Sequence, residues 1–368
     1  MKKVLRLLFL IALSLSLIHC PPAKKADQSE TLLPLLALSR GSSTSTSSTS
    51  SSDSSTSNNP TISSMSAVTG AYPISSGVAV MEGGSVTISG TNFSATATSN
   101  TVTWGGQTLT VTSASVSSLT VTAPQVTSNN ASAVSVKVGS NTATSSSNLT
   151  VLDVSSLSIA TKITPTLGTV SQGITGATPR TKIYKVNLSA GTYLVNAFGG
   201  AGTNNYQLYI NNSFSLSGTI LATSGANSTG TATKFTISST ADVYIELYAS
   251  AANTTSTVNL IIISQASNGS YSISCNGYSG ASRCYNVPDY HNGFTSTTCT
   301  GSLSGTYSGT QNCAGVNGTG VVVGTCLVPF IDVGPLVHNY YSNGGAPYTA
   351  GTASTHCTST LSSSAIFF

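Results

Sequence analysis

Charge is what this sequence has least of. Asp, Glu, Lys and Arg make up 6% of 368 residues, against about 25% in an ordinary soluble domain. Helix surfaces are built from Glu, Lys and Ala, so the scarcity argues against helical layers. The formal net charge of +4 does not point to nucleic acid either. With Lys2, Lys3 and Arg6 assigned to a targeting segment, 10 basic residues face 9 acidic ones. No electrostatic footprint for a polyanion remains. Cysteine is missing between Cys20 and Cys275, and the tight C-x₂₋₄-C pairs that hold zinc are absent. Leu7 to Ile18 is the longest opening apolar run, too short for the roughly 20 residues a membrane span needs. There is no phosphate loop, dinucleotide fingerprint, H-E-x-x-H or nucleophile elbow.

Ser, Thr, Gly and Asn fill the polar positions instead. Hydroxyls and amides suit strands, whose outward residues must be polar and compatible with extended backbone. An all-β chain is expected.

The N-terminus reads as an export signal. Met1-Lys2-Lys3 is a positive n-region and Leu7 to Ile18 an h-region. Leu17-Ile18-His19-Cys20 resembles a bacterial lipobox of the looser spirochaete type, with His19 where Gly, Ala or Ser is usual. The resemblance implies a signal peptide over 1–19 and acylation of Cys20. An odd cysteine in an exported chain also calls for a role of its own. From Gly41 to Asn59, fifteen of nineteen residues are Ser or Thr. Such a stretch buries too little to offset ordering entropy, so 20–59 is expected to be a disordered tether.

Residues 60–153 show period-2 alternation: Val86 and Ile88, Val102 and Trp104, Leu109 and Val111, Leu119 and Val121, then Val134, Val136 and Val138. This marks strands with one buried face in an antiparallel sandwich. Gly84-Ser85-Val86-Thr87-Ile88-Ser89-Gly90-Thr91-Asn92-Phe93 resembles the opening signature of IPT/TIG domains, which implies an immunoglobulin-like fold. Gly90 and Asn92 suit a tight turn with positive φ, Phe93 a plug, and Trp104 a core position. The family includes DNA-binding members, but Lys137 is the one basic residue in this stretch.

Residues 154–268 continue with strands over Lys182–Leu188, Thr192–Phe198, Tyr206–Ile210, Lys234–Ile237, Val243–Tyr248 and Val258–Ile263. Ile183 to Tyr193, Tyr206 to Ile210 and Ala241 to Leu247 resemble the bacterial pre-peptidase C-terminal domain, which implies a second β-sandwich without catalysis of its own. Gln207 stands where that family has an Asp, so no metal role is carried over. Of fifteen tyrosines only Tyr72 precedes residue 180; the others either fill sandwiches or form an interface.

Residues 269–368 contain Cys275, Cys284, Cys299, Cys313, Cys326 and Cys357. Six cysteines in an exported chain imply three disulfides, with 15 connectivities open. Val321–Val328 is expected to be a buried strand and Ala365–Phe368 a closing one. Candidate chemistry rests on His291, His338 and His356 with Asp289 and Asp332. Asp289-Tyr290-His291 is expected to be a loop rather than an acid/base pair. No catalytic residue, metal or cofactor is assigned. The reading is a surface-exposed lipoprotein held in the outer membrane through Cys20, with a protein or polysaccharide ligand and no nucleic acid. A periplasm-facing structural protein and an accessory protein acting on cell-surface polysaccharide are the alternatives.

Overall fold

A computed structural model describes residues 58–72, 74, 77–167, 180–200, 205–214, 220–226, 230–249, 256–267, 269–291, 293–330 and 332–368. The expected signal peptide, Cys20 and the expected tether through residue 57 lie outside the described residues. The rest is built of strands, as the composition implies.

The first sandwich contains β1 (Thr61–Ala67), β2 (Ala71–Tyr72), β3 (Val78–Met81), β4 (Ser85–Thr91), β5 (Asn100–Trp104), β6 (Gln107–Ala114), β7 (Ser118–Thr122), β8 (Asn130–Val138) and β9 (Asn141–Leu152). Their order is β1-β4-β7-β6-β5-β8-β9-β3-β2. β6 joins the two layers: it pairs with β5 on one side and β7 on the other, and its register shifts between Val111 and Ser113. Such a shift bends a strand enough to serve both sheets. The inward positions Val86, Ile88, Val102, Leu119, Val121 and Val136 are fully buried. Trp104 is a core residue, and its indole Nε1 donates to the Leu149 carbonyl at 2.8 Å. Phe93 plugs the core.

Asn92 takes the expected positive φ of 60°, but Gly90 does not. Glycine is needed there for closeness: a Cβ would collide with the Thr61 carbonyl oxygen on the paired strand.

The second sandwich contains β10 (Val154–Ser156), β11 (Thr166–Leu167), β12 (Arg180–Leu188), β13 (Gly191–Phe198), β14 (Tyr206–Asn211), β15 (Ile220–Thr223), β16 (Thr231–Ile237), β17 (Ala241–Ala249), β18 (Ser256–Thr257) and β19 (Asn259–Ser264). Sheet β10-β12-β17-β14-β15 faces sheet β16-β13-β19 across a core of Val186, Val195, Leu208, Ile245 and Ile262, among others. No linker separates the sandwiches. β9 ends at Leu152, and β10 starts at Val154 as a parallel edge strand beside β12. Tyr72, Ala79, Met81 and Leu152 pack against Ile183 and Tyr244, so the two sandwiches share a small core.

The last region is an antiparallel sheet of β20 (Tyr271–Asn276), β21 (Arg283–Pro288), β22 (Thr306–Ser308), β23 (Val322–Val328), β24 (Leu336–Tyr341) and β25 (Ile366–Phe367), ordered β22-β20-β21-β24-β23-β25. One face, with Leu327, Val337 and Ile366, covers the outer side of β13 and β19 at Leu194, Phe198, Ile261 and Ile263. The β16-β13-β19 sheet is therefore buried on both sides. Each such side chain contributes about 1.5–3 kcal/mol, so this contact joins the last region firmly to the second sandwich. Only part of Val321–Val328 meets the expectation of burial. Val321 and Val322 are exposed at 57% and 49%, and the strand sinks into the core at Cys326–Val328.

Candidate functional site

The sheet of the last region places its chemistry by register. Tyr307, Cys275, Tyr285, His338, Cys326 and Phe367 are successive Cα partners across six strands. Partners in register share a face, so one row carries two cysteines and an aromatic series between and beside them. Cys275 bonds Cys299 and Cys326 bonds Cys357, which pins the π-helical turns Thr298–Ser302 and His356–Leu361 to the sheet. Cys284, on the opposite face, bonds Cys313 in the short helix Cys313–Val316. That helix is further held by Asn286, whose Oδ1 accepts from the Cys313 amide at 2.7 Å. The helix Ala350–Thr355 opens with a capping box between Thr349 and Thr352 and runs directly into the turns that carry His356. All six cysteines of the region are paired.

His338 lies in the middle of this row with no exposed surface. Its ring sits 4.1 Å from Tyr285 and 4.3 Å from Tyr340, centroid to centroid. Neither ring nitrogen has a hydrogen-bond partner. Burial, then Arg283, then His356 hold its pKa well below the ordinary histidine range, so the ring is neutral. A general base needs a proton to take and a partner to orient it; His338 has neither. The other sequence candidates do not converge on it. Asp289 is exposed and accepts from the Ser272 hydroxyl at 3.2 Å. Asp332 is exposed. His291 packs edge-on to Phe294 at 5.5 Å in the turn after β21, with Tyr290 buried beside it.

The neighbouring row on the same face brings Arg283, Tyr340 and Gly324 together. Arg283 Nη1 stands 3.1 Å from His356 Nε2. A guanidinium has only donors, so Nε2 must present its lone pair. The proton is then on Nδ1, which lies 2.9 Å from the Tyr340 hydroxyl oxygen and donates to it. His356 is thereby fixed as a neutral tautomer, consistent with a pKa lowered by burial and by Arg283. Tyr348 packs edge-on against both Tyr340 and His356, at 4.8 and 5.8 Å. Sequence reasoning passed over Arg283, although it is the only Lys or Arg between residues 269 and 368.

A second polar group is buried where the two sandwiches meet. Glu246 of β17 is 8% exposed. Its Oε1 accepts from Tyr72 Oη at 2.6 Å, across the junction, and from Thr181 Oγ1 at 3.0 Å. Burial raises its pKa and the two hydroxyls pull it back. Burial and Glu246 together raise that of Tyr72. Asn129 adds a further tie, donating to the Thr181 carbonyl at 3.2 Å and accepting from the Asp153 amide at 3.0 Å. Glu82 accepts from the amides of Val126 and Val154 at 2.9 and 3.3 Å. Gln207 is spent locally, donating to the Ser224 carbonyl and accepting from Tyr209.

Among the described residues no group of three or more His, Cys, Asp or Glu side chains is placed to hold a metal ion, and no helix is long and apolar enough to cross a membrane.

Residues 60–151 match the family model of the IPT/TIG domain. No curated protein matches the chain. Among solved structures it is similar to the pre-peptidase C-terminal domain of a collagenase from Bacillus anthracis, at 16% identity and TM-score 0.24, over 30% of this chain and 94% of that one. It is also similar to SGBP-B of a mixed-linkage glucan utilization locus from Bacteroides ovatus, at 16% identity and TM-score 0.17, over 49% of each chain. A third is SGBP-B of a complex xyloglucan utilization locus from Bacteroides uniformis, at 12% identity and TM-score 0.18, over 56% of this chain and 73% of that one. The chain thus spans about half the length of the Bacteroides ovatus protein.

Proposed function

We propose that the chain is a lipoprotein anchored in the outer membrane through acylated Cys20, displaying non-catalytic binding modules at the cell surface. The export signal and lipobox-like Leu17-Ile18-His19-Cys20 support the anchor. Three disulfides in the last region support a location outside the cytoplasm, where such bonds persist. Many copies displayed on one surface would let weak contacts gain from repetition.

One observation carries the non-catalytic part. His338, fully buried in the cysteine-closed region, is shut between two tyrosine rings with both nitrogens unpartnered. It works there as a flat, neutral packing unit.

Protease treatment of intact cells tests display. Digestion without lysis, together with loss of fatty-acid labelling in Cys20→Ser, is the expected result. Resistance until the cells are lysed would turn the reading to a periplasm-facing structural protein.

A further inference from the structure

We propose that Arg283, Tyr285 and Tyr348 form a binding site for a carboxylate, free or carried on a uronic-acid sugar. The starting point is a missing counter-charge. Among the described residues the ion pair formed is Lys185 with Asp242, in the second sandwich. Arg283 has no acidic partner, and the two acids of its region, Asp289 and Asp332, are exposed elsewhere. Its guanidinium is half-buried, and its Nε is enclosed without a partner. One N–H of Nη1 goes to His356. The other N–H of Nη1 and both of Nη2 are left, in the planar arrangement that receives a carboxylate end-on through two parallel bonds.

Two phenols complete the site. Tyr285 and Tyr348 have hydroxyls with no hydrogen-bond partner among the described residues, and neither oxygen is enclosed. Tyr285 stands two residues along β21 from Arg283, on the same face, and Tyr348 packs at 5.8 Å on the His356 ring that Arg283 contacts. Donors from two elements, β21 and the segment after β24, are therefore brought to this face, and the one acceptor that Arg283 meets there is His356 Nε2. Disulfide Cys326–Cys357 fixes the turns that carry His356, so the acceptor that orients Arg283 is in place before any ligand arrives.

The site goes beyond the display reading, since purified protein binds the anion or fails to bind it wherever the cell places the chain. His356 supplies an internal reporter. Arg283, Tyr340, Tyr348 and His338 face its ring. A bound carboxylate offsets the repulsion between Arg283 and a protonated His356. By linkage, binding must then raise the His356 pKa, and acid must tighten binding by the same factor.

The test is an NMR titration of the full chain with acetate, glucuronate and glucose, following the His356 ring protons. Acetate and glucuronate are expected to move the His356 titration to higher pH, and glucose to leave it unchanged. A stronger effect of glucuronate than of acetate assigns the site to the sugar acid; equal effects assign it to the free carboxylate. Arg283→Gln should weaken carboxylate binding by at least ~10-fold, whereas His356→Gln should keep binding and lose its pH dependence. Should Arg283→Gln fail to form its three disulfides, Arg283→Lys keeps the charge without the planar fork and should still bind several-fold more weakly. An unshifted His356 titration in the parent protein, an equal response to glucose, or undiminished binding in either folded Arg283 variant would overturn the proposal.

Discussion

Glu246 at the junction and Arg283 in the cysteine-closed region show two ways of housing a charge without an opposite one. Glu246 is solvated from within: two hydroxyls, one from each sandwich, converge on a single carboxylate oxygen. Arg283 is met by a neutral imidazole that accepts one bond and leaves other donors unused. The first arrangement satisfies its charge and joins two bodies. The second leaves a deficit facing partly outward. The difference suggests where a ligand is needed and where it is not: a carboxylate that takes two strong hydroxyl bonds is a structural tie, and a guanidinium short of acceptors is a recognition element.

The largest effect is expected from cutting the staple on the Arg283 side alone. Cys326→Ala combined with Cys357→Ala should cost about 2–5 kcal/mol. Hydrogen exchange should rise in β23 to β25 and at His356, while β4 to β8 keep their protection. Uniform loss of protection over both sandwiches would mean that the last region is not a separable unit of stability.

Next is the tie at the junction. Tyr72→Phe removes a hydroxyl from a buried carboxylate and should lower stability by about 1.5–3 kcal/mol, the range for bonds to charged groups. The companion change Glu246→Gln should recover part of that loss in the double variant, because an amide tolerates the missing donor better than a carboxylate does. Chemical denaturation of the three variants checks this; additive losses would show that Tyr72 and Glu246 do not act as a pair.

Smaller again is the effect of removing one neutral hydrogen bond. Trp104→Phe deletes the bond to Leu149 while keeping an aromatic ring in the core, and about 1 kcal/mol is expected, confined to the first sandwich. A change in the His356 titration in this variant would couple regions that share no contact with Trp104.

Much of this was legible beforehand. Alternation at Val86–Ile88 and Val134–Val138 marked strands because a half-buried strand must alternate, and six cysteines without a zinc spacing implied bridges. Two things were harder to read. The outer face of β13 and β19 is covered, and its signal was the unbroken apolar run Leu260-Ile261-Ile262-Ile263, which reads as burial on both sides rather than one. The Arg283 cluster depends on cross-strand register, which sets Arg283 beside Tyr340, and on a disulfide-held turn that brings His356 to it from 73 positions away; only the isolation of Arg283 among uncharged residues hinted at it. Gly90 shows a third limit. A glycine demanded by close approach and one demanded by positive φ look identical in sequence.

The contrast between the two charges can be read in one experiment, because their pH dependences have opposite signs. The pKa of Glu246 is raised on folding, so its contribution is fully present below about 4.3, the unfolded value, and is lost as pH rises through the folded value. Those of His356 and His338 are depressed, so their contribution is present above about 6.5 and is lost as pH falls through their folded values. Native-state hydrogen exchange of the full chain between about pH 4 and 7, corrected for intrinsic rates, should show the Tyr72–Glu246 junction becoming more protected, relative to β5 and β8, as acid is added, and β21, β24 and the His356 turns becoming less so. Protection that moves in the same direction at both places would contradict the assignment of a hydroxyl-solvated carboxylate to one and a neutral imidazole beside an unpaired guanidinium to the other.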